Sequence, residues 1–146
     1  MKQIRPARKE DATAIGAFLD QLEYPGTGRF LEAKIQRMIL DPDEALLVYE
    51  EEEKILGFIS LHFIPQIAVE GDFARISYFS IDSAARSRGI GQGMEAHAER
   101  LARERGCSLI EVHCHTRRTR AHAFYNRQGY EESPKYLVKK LSPPPI

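Results

Sequence analysis

The chain predicts a mixed α/β fold: one sheet of six to seven strands with helices on both faces. Three observations lead there. Strand-like and helix-like hydrophobic patterns follow one another in the order β α α β β β α β α β, with further strand material at the end. No internal repeat or linker divides the 146 residues, so a single domain over residues 1–141 is expected, followed by a loose proline-rich tail at 142–146. Burial of about two-thirds of the unfolded surface leaves room for a core on both sides of such a sheet.

Each element has its own signal. Lys2 to Ala7 reads as a short strand. Ile15, Phe18, Leu19 and Leu22 fall on one helix face, with Glu10 and Asp11 in the first turn where carboxylates suit the helix dipole. Tyr24-Pro25-Gly26-Thr27-Gly28 breaks this helix. Leu31, Ile35, Met38 and Ile39 mark a second helix, which Asp41-Pro42-Asp43 ends. Ala45 to Tyr49 and Ile55 to Ile64 are strand-like, and the acidic run Glu50 to Lys54 between them reads as a solvated hairpin turn. Phe73 to Ile81 is a further strand. Met94, Ala98, Leu101 and Ala102 give a third helix an apolar stripe from about Gly91 to Arg105, with Gly106 as its stop. Leu109 to His115 is strand-like, Arg120 to Gln128 is a short helix stopped by Gly129, and Tyr130 with Tyr136 to Leu141 supplies the last strand material.

Composition narrows the function. Lys plus Arg and Asp plus Glu both number 21, so wholesale attraction to nucleic acid or to an anionic membrane is not expected and any anion site must be local. No apolar run approaches the roughly 20 residues that span a bilayer. The start, Met1-Lys2-Gln3-Ile4-Arg5, lacks the apolar region of a signal peptide, and a cytoplasmic protein is the default expectation. Cys107 and Cys114 have no metal-type spacing and sit in apolar surroundings, which reads as buried, reduced thiols.

The segment carrying the most chemistry is Arg86-Ser87-Arg88-Gly89-Ile90-Gly91-Gln92-Gly93, between a strand and a helix. Glycines there let several N–H groups converge, and the helix adds the positive end of its dipole, which together suit a phosphate. A Walker-type loop requires a Lys that is missing here, and a dinucleotide fingerprint requires a third Gly where Met94 stands. The remaining pattern is Arg86-x-x-Gly89-x-Gly91. A second motif, Ala121-His122-Ala123-Phe124-Tyr125-Asn126-Arg127-Gln128-Gly129-Tyr130, follows.

The pair resembles the GNAT superfamily of N-acetyltransferases, whose patterns are Gln/Arg-x-x-Gly-x-Gly/Ala and Ala-x-x-Phe-Tyr-x-x-x-Gly-Phe/Tyr. The likeness runs through nearly the whole chain, including Ile4-Arg5-Pro6-Ala7 and Glu10-Asp11-Ala12. Arg118-x-x-Ala121-His122 and Leu61-His62 further resemble the small-molecule branch, the aminoalkylphosphonate and aminoglycoside acetyltransferases. The resemblance implies a mostly antiparallel sheet that splits between its fourth and fifth strands. It implies acetyl-CoA as cosubstrate, a small-molecule primary amine as acceptor, and direct attack in a ternary complex. It implies pyrophosphate contacts from Arg86, Arg88, Gly89, Ile90, Gly91 and Gln92, pantetheine contacts from the backbone of Phe79 and Ile81, and a flanking Phe124. Arg117, Arg118 and Arg120 are further cations within reach of phosphate. Homodimers are common in the superfamily, although no patch of this sequence reads as an interface.

Tyr125 is the expected general acid, because a phenol with an ordinary pKa of about 10 suits donation to a thiolate at neutral pH. The base is left open. Relatives often carry Glu on the fourth strand where this chain has Ser77. Glu111, His113 and His115 alternate on one strand face, His62 lies on another strand, and a water chain without a dedicated base is a further route. Relatives also often have Asn where Arg118 stands. Two alternatives remain beside a small-molecule enzyme: an inactive acyl-CoA binder, and acetylation of a protein or peptide amine. A metal centre using Glu111, His113 and His115 and a nucleic-acid site over Thr116 to Arg120 have weaker support. The segment Tyr24 to Phe30, with Glu23 before it, is where such folds contact the acceptor, and it shows no recognisable pattern.

Overall fold

The computed structural model describes residues 1–113, 118–132 and 137–141. β1 (Lys2–Pro6), β2 (Glu44–Glu51), β3 (Lys54–Ile64), β4 (Asp72–Ile81) and β5 (Cys107–Val112) form one sheet in chain order. The first three junctions are antiparallel and β4–β5 is parallel. The parallel step needs a crossover, which α3 (Ile90–Glu104) supplies. The other helices are α1 (Ala12–Gln21), α2 (Leu31–Ile39) and α4 (Thr119–Arg127).

Alternation along the strands divides the core in two. Leu46, Val48 and Phe58 pack with Ile15, Phe18, Leu19, Leu31 and Ile35 of α1 and α2. Leu47, Ile59, Leu61, Ala74 and Ile76 pack on the other face with Ile90, Met94, Ala98 and Ala102 of α3. Each large side chain taken fully out of water contributes roughly 1.5–3 kcal/mol. Helices therefore cover both faces, as the element order predicts.

The sheet has five strands among the described residues, not the six to seven expected. Tyr130 closes α4 instead of opening a strand, its N–H donating to the Tyr125 carbonyl at 3.0 Å. Leu137, Val138 and Leu141 are 96%, 70% and 86% exposed and take no strand partner. Alternating apolar residues make a strand only when a neighbour accepts the backbone hydrogen bonds, and here none does. Tyr136 and the tail lie outside the described residues.

The acidic hairpin is also more committed than a solvated turn. Arg5 bonds Asp11 through two nitrogens, at 2.8 and 3.0 Å, and reaches Glu50 at 3.2 Å through Nε. Burial alone would raise the Asp11 carboxyl, but the Arg5 guanidinium and the Arg8 amide hold it below the usual carboxylate range. The turn itself is confined to Glu52 and Glu53, at φ 51° and 64°.

One irregularity in β4 shapes everything near the site. Ser60 pairs with Tyr78 and Leu61 with Ile76, so Ser77 is an extra residue, a β-bulge. Before it, Ala74 and Ile76 face α3. After it, Phe79 and Ile81 face that same core, while Tyr78 turns away to meet Tyr24 edge-on at 5.2 Å. At the same point β4 and β5 part: among the described residues their pairing ends at Ile76–Val112. Among the described residues, the edge of β4 that faces away from β3 has no strand partner from Ser77 to Ile81.

Candidate active site

The loop from β4 into α3 is built for an anion. The Asp82 carboxylate accepts the Ala84 N–H at 2.8 Å and fixes a single turn over Ser83–Ala85. The chain then passes through left-handed backbone at Ser87 (φ 68°) and Gly89 (φ 82°) and enters α3. The Gly93 N–H returns to the Gly89 carbonyl at 3.0 Å. Helix geometry leaves the amides before that bond without partners inside the helix, and they point out of its positive end. A Cβ at Gly89 would meet nothing within 4 Å, so glycine is needed there for its backbone alone. A Cβ at Gly91 would make ordinary contact with the Phe124 ring on α4, at 3.4 Å.

This loop forms one end of a cleft of about 670 Å³ that runs along the free edge of β4 to α4. Arg86, Arg118, Arg120 and Arg127 line it, with no carboxylate among the described lining residues. Phe79, Ile81 and Phe124 give it an apolar stretch, Phe79 and Phe124 meeting edge-on at 5.9 Å. Four guanidinium groups along the cleft and a helix N-terminus at one end, with a strand edge and apolar rings beside them, suit a phosphate-bearing molecule with an amide-containing arm.

A second, smaller cavity of about 70 Å³ lies on the far side of Tyr125. Its walls include Tyr24 after α1, Ser77 and Tyr78 of the bulge, His113 after β5, and Arg118. Tyr125, Phe79, Leu22, Ala121 and Arg118 line both cavities. Tyr125, 9% exposed, therefore stands where the two meet. Its ring is flanked by Phe124 at 5.3 Å, Tyr130 at 5.3 Å and Phe79 at 6.5 Å. Arg118 bonds the Leu22 carbonyl through Nη2 at 2.5 Å and so ties the start of α4 to the end of α1.

The residues singled out from sequence are thus sorted. Phe79, Ile81, Arg86, Gly89, Ile90, Gly91, Gln92, Phe124 and Tyr125 all line the cleft. Arg88 does not: its Nη2 is held by both Glu51 carboxylate oxygens, at 2.8 and 3.0 Å. Glu111 lines neither cavity and accepts from Arg75 Nε at 2.5 Å. His113 lines the small cavity, with its Nε2 3.8 Å from that Glu111 carboxylate. His62 pairs with Glu44 across β2 and β3, away from both cavities. Cys107 is a free thiol and only partly buried. His115, Arg117 and Cys114 lie outside the described residues.

Sequence reasoning missed Arg127 and Tyr78. Arg127 had a signal, since Arg120, Phe124 and Arg127 fall on one helical face. Tyr78 had none, because the bulge reverses the side on which it would be counted.

An acetyltransferase (GNAT) family model matches residues 10–130. The chain belongs to the GNAT family of acetyltransferases. It is 27% identical over 144 residues to an aminoalkylphosphonate N-acetyltransferase of Salmonella typhimurium, covering 95% of this chain and 91% of that one. Among solved structures it is similar to a protein described as a transcriptional regulator from Bacillus halodurans, with TM-score 0.86, 26% identity, and 97% and 100% of the two chains covered. It is also similar in fold to an aminoglycoside N-acetyltransferase solved with coenzyme A, with TM-score 0.83, 15% identity, and 97% and 95% covered. The GNAT family uses acetyl-CoA, and the large cleft of this member is lined by four arginines and the start of α3. Among the described residues no helix is long and apolar enough to cross a membrane.

Proposed function

We propose that this acetyltransferase transfers the acetyl group of acetyl-CoA to the primary amine of a small molecule that also carries an anionic group, an aminoalkylphosphonate being the nearest chemical type. The observation that carries this reading is the lining of the small cavity. Around Tyr125 it offers the Arg118 guanidinium, the His113 imidazole and the hydroxyls of Tyr24, Tyr78 and Ser77, with no carboxylate among the described residues. A polycation such as an aminoglycoside or a polyamine asks for the opposite, a wall of carboxylates. The 27% identical relative, named for aminoalkylphosphonate acetylation, supports the same choice.

The two cavities meeting at Tyr125 suit direct transfer with both substrates bound. The amine nitrogen bonds to the thioester carbonyl carbon, the carbon–sulfur bond breaks, the sulfur takes a proton from the Tyr125 hydroxyl, and the proton that the new amide nitrogen sheds restores that hydroxyl. Backbone N–H groups of the free β4 edge, around residues 79–81, polarise the carbonyl. His113 receives the proton that the ammonium must lose, directly or through a water held by Ser77, since both line the acceptor cavity. Glu111 is too committed to Arg75 for that task.

Release of free thiol from acetyl-CoA across a panel of amines tests the reading. Aminoalkylphosphonates should have the highest kcat/KM, amino acids less, and aminoglycosides and polyamines least. A polycation turned over faster than every anionic amine would overturn it.

A further inference from the structure

α3 carries a carboxylate where its own pattern asks for a hydrocarbon. Met94, Ala98 and Ala102 are buried against the sheet, and Glu95 beside them is 1% exposed. Burial pushes its carboxyl up to about 7, with Glu99 one turn on adding to the rise, and Tyr130 and Arg103 opposing it. A leucine would fill the same space without that desolvation cost. Besides a side-chain hydrogen bond with Glu99 on its own helix, the carboxyl makes one that leaves α3: the Tyr130 hydroxyl donates to Oε2 at 2.8 Å.

Tyr130 is thereby held at both ends. Its hydroxyl is fixed on Glu95, and its backbone N–H donates to the Tyr125 carbonyl at 3.0 Å. Between those points its ring packs on the Tyr125 ring at 5.3 Å and 66°. Phe124 and Phe79 also flank the Tyr125 ring.

We propose that Glu95 is a positioning residue for acetyl transfer: through the Tyr130 hydroxyl it locks the ring that packs against Tyr125, and so holds the Tyr125 phenol at the junction of the two cavities. The inference rests on the reading of Tyr125 as the general acid. Glu95 itself lines neither cavity, so it acts on the rate and leaves substrate binding alone.

The test is steady-state kinetics of Tyr125→Phe, Tyr130→Phe, Glu95→Gln, Glu95→Leu and the Glu95→Leu/Tyr130→Phe double variant, with the thermal midpoint of each. Tyr125→Phe should lose roughly 10²-fold in kcat. Tyr130→Phe and Glu95→Leu should each lose about five- to tenfold in kcat, with KM for both substrates within about twofold of wild type. Glu95→Gln keeps an acceptor oxygen for Tyr130 and should stay within about twofold of wild type, which a requirement for mere charge would not allow. The double variant should be no slower than Tyr130→Phe alone, because both changes cut one linkage. A slow Tyr125→Phe beside a wild-type kcat in Tyr130→Phe overturns the positioning role alone, whether or not Glu95→Leu folds. A wild-type rate in Tyr125→Phe overturns the acid role and the positioning with it.

Discussion

The two sides of Tyr125 are built from different material. On the cofactor side the chemistry is backbone: left-handed turns at Ser87 and Gly89, the first amides of α3, and the free edge of β4, with arginines around them. On the acceptor side it is side chains, Tyr24, Ser77, Tyr78, His113 and Arg118, drawn from separate segments into about 70 Å³. A backbone site recognises what every phosphate-bearing cosubstrate shares, and it tolerates wide change in side chains. A site made of side chains chooses one acceptor over another and changes with single substitutions.

That contrast is open to attack from either side. The largest effect should come from Gly89→Val, which forces a branched side chain into a left-handed position that costs about 1–2 kcal/mol for an ordinary residue and more for this one. Acetyl-CoA should bind about tenfold or more weakly, read as a smaller rise in thermal midpoint at fixed ligand, while the acceptor KM holds. An unchanged rise would mean that the loop backbone is not what binds. Tyr78→Ala should act on the other side alone. It removes an edge-on ring pair worth about 0.5–1.5 kcal/mol, so the acceptor KM should rise several-fold with the acetyl-CoA shift intact. Equal loss of both would show that the two cavities are one site. The smallest effect belongs to Glu95→Gln, which touches neither side. A carboxyl raised to about 7 in the folded state binds a proton that the unfolded chain releases nearer its ordinary range, so its burial erodes stability as pH climbs from that range through about 7. Glu95→Gln should therefore gain in thermal midpoint over wild type at pH 8 and gain less at pH 5. The reverse order would mean that Glu95 is ionised and satisfied.

How far each side was legible follows from the same difference. Glycine spacing is local, so Arg86-x-x-Gly89-x-Gly91 announced the loop that lines the large cleft, and Phe124-Tyr125 with Gly129-Tyr130 announced α4. Within that loop the sequence did not separate Arg86, which lines the cleft, from Arg88, which Glu51 captures across the fold. Strand parity rightly put Glu111 and His113 on one face but not the register that gives Glu111 to Arg75. The pairing of Glu95 with Tyr130 joins α3 to the end of α4 and has no local trace. The expected last strand over Tyr136 to Leu141 is absent from its described part, 137–141, where the pattern lacks a neighbour to bond among the described residues.

The bulge at Ser77 means that β4 is written in two reading frames. Up to Ile76 the even positions belong to the α3 core, and from Phe79 the odd ones do. Deleting Ser77 would leave Tyr78 and Phe79 on their present faces, because Ile76 and Tyr78 already take consecutive partners on β3; pairing Ser77 into the ladder instead would exchange them, turning a phenol toward the α3 core and a benzyl ring beneath Tyr24. Whether this one residue is bulged or paired thus decides what β4 presents to each cavity.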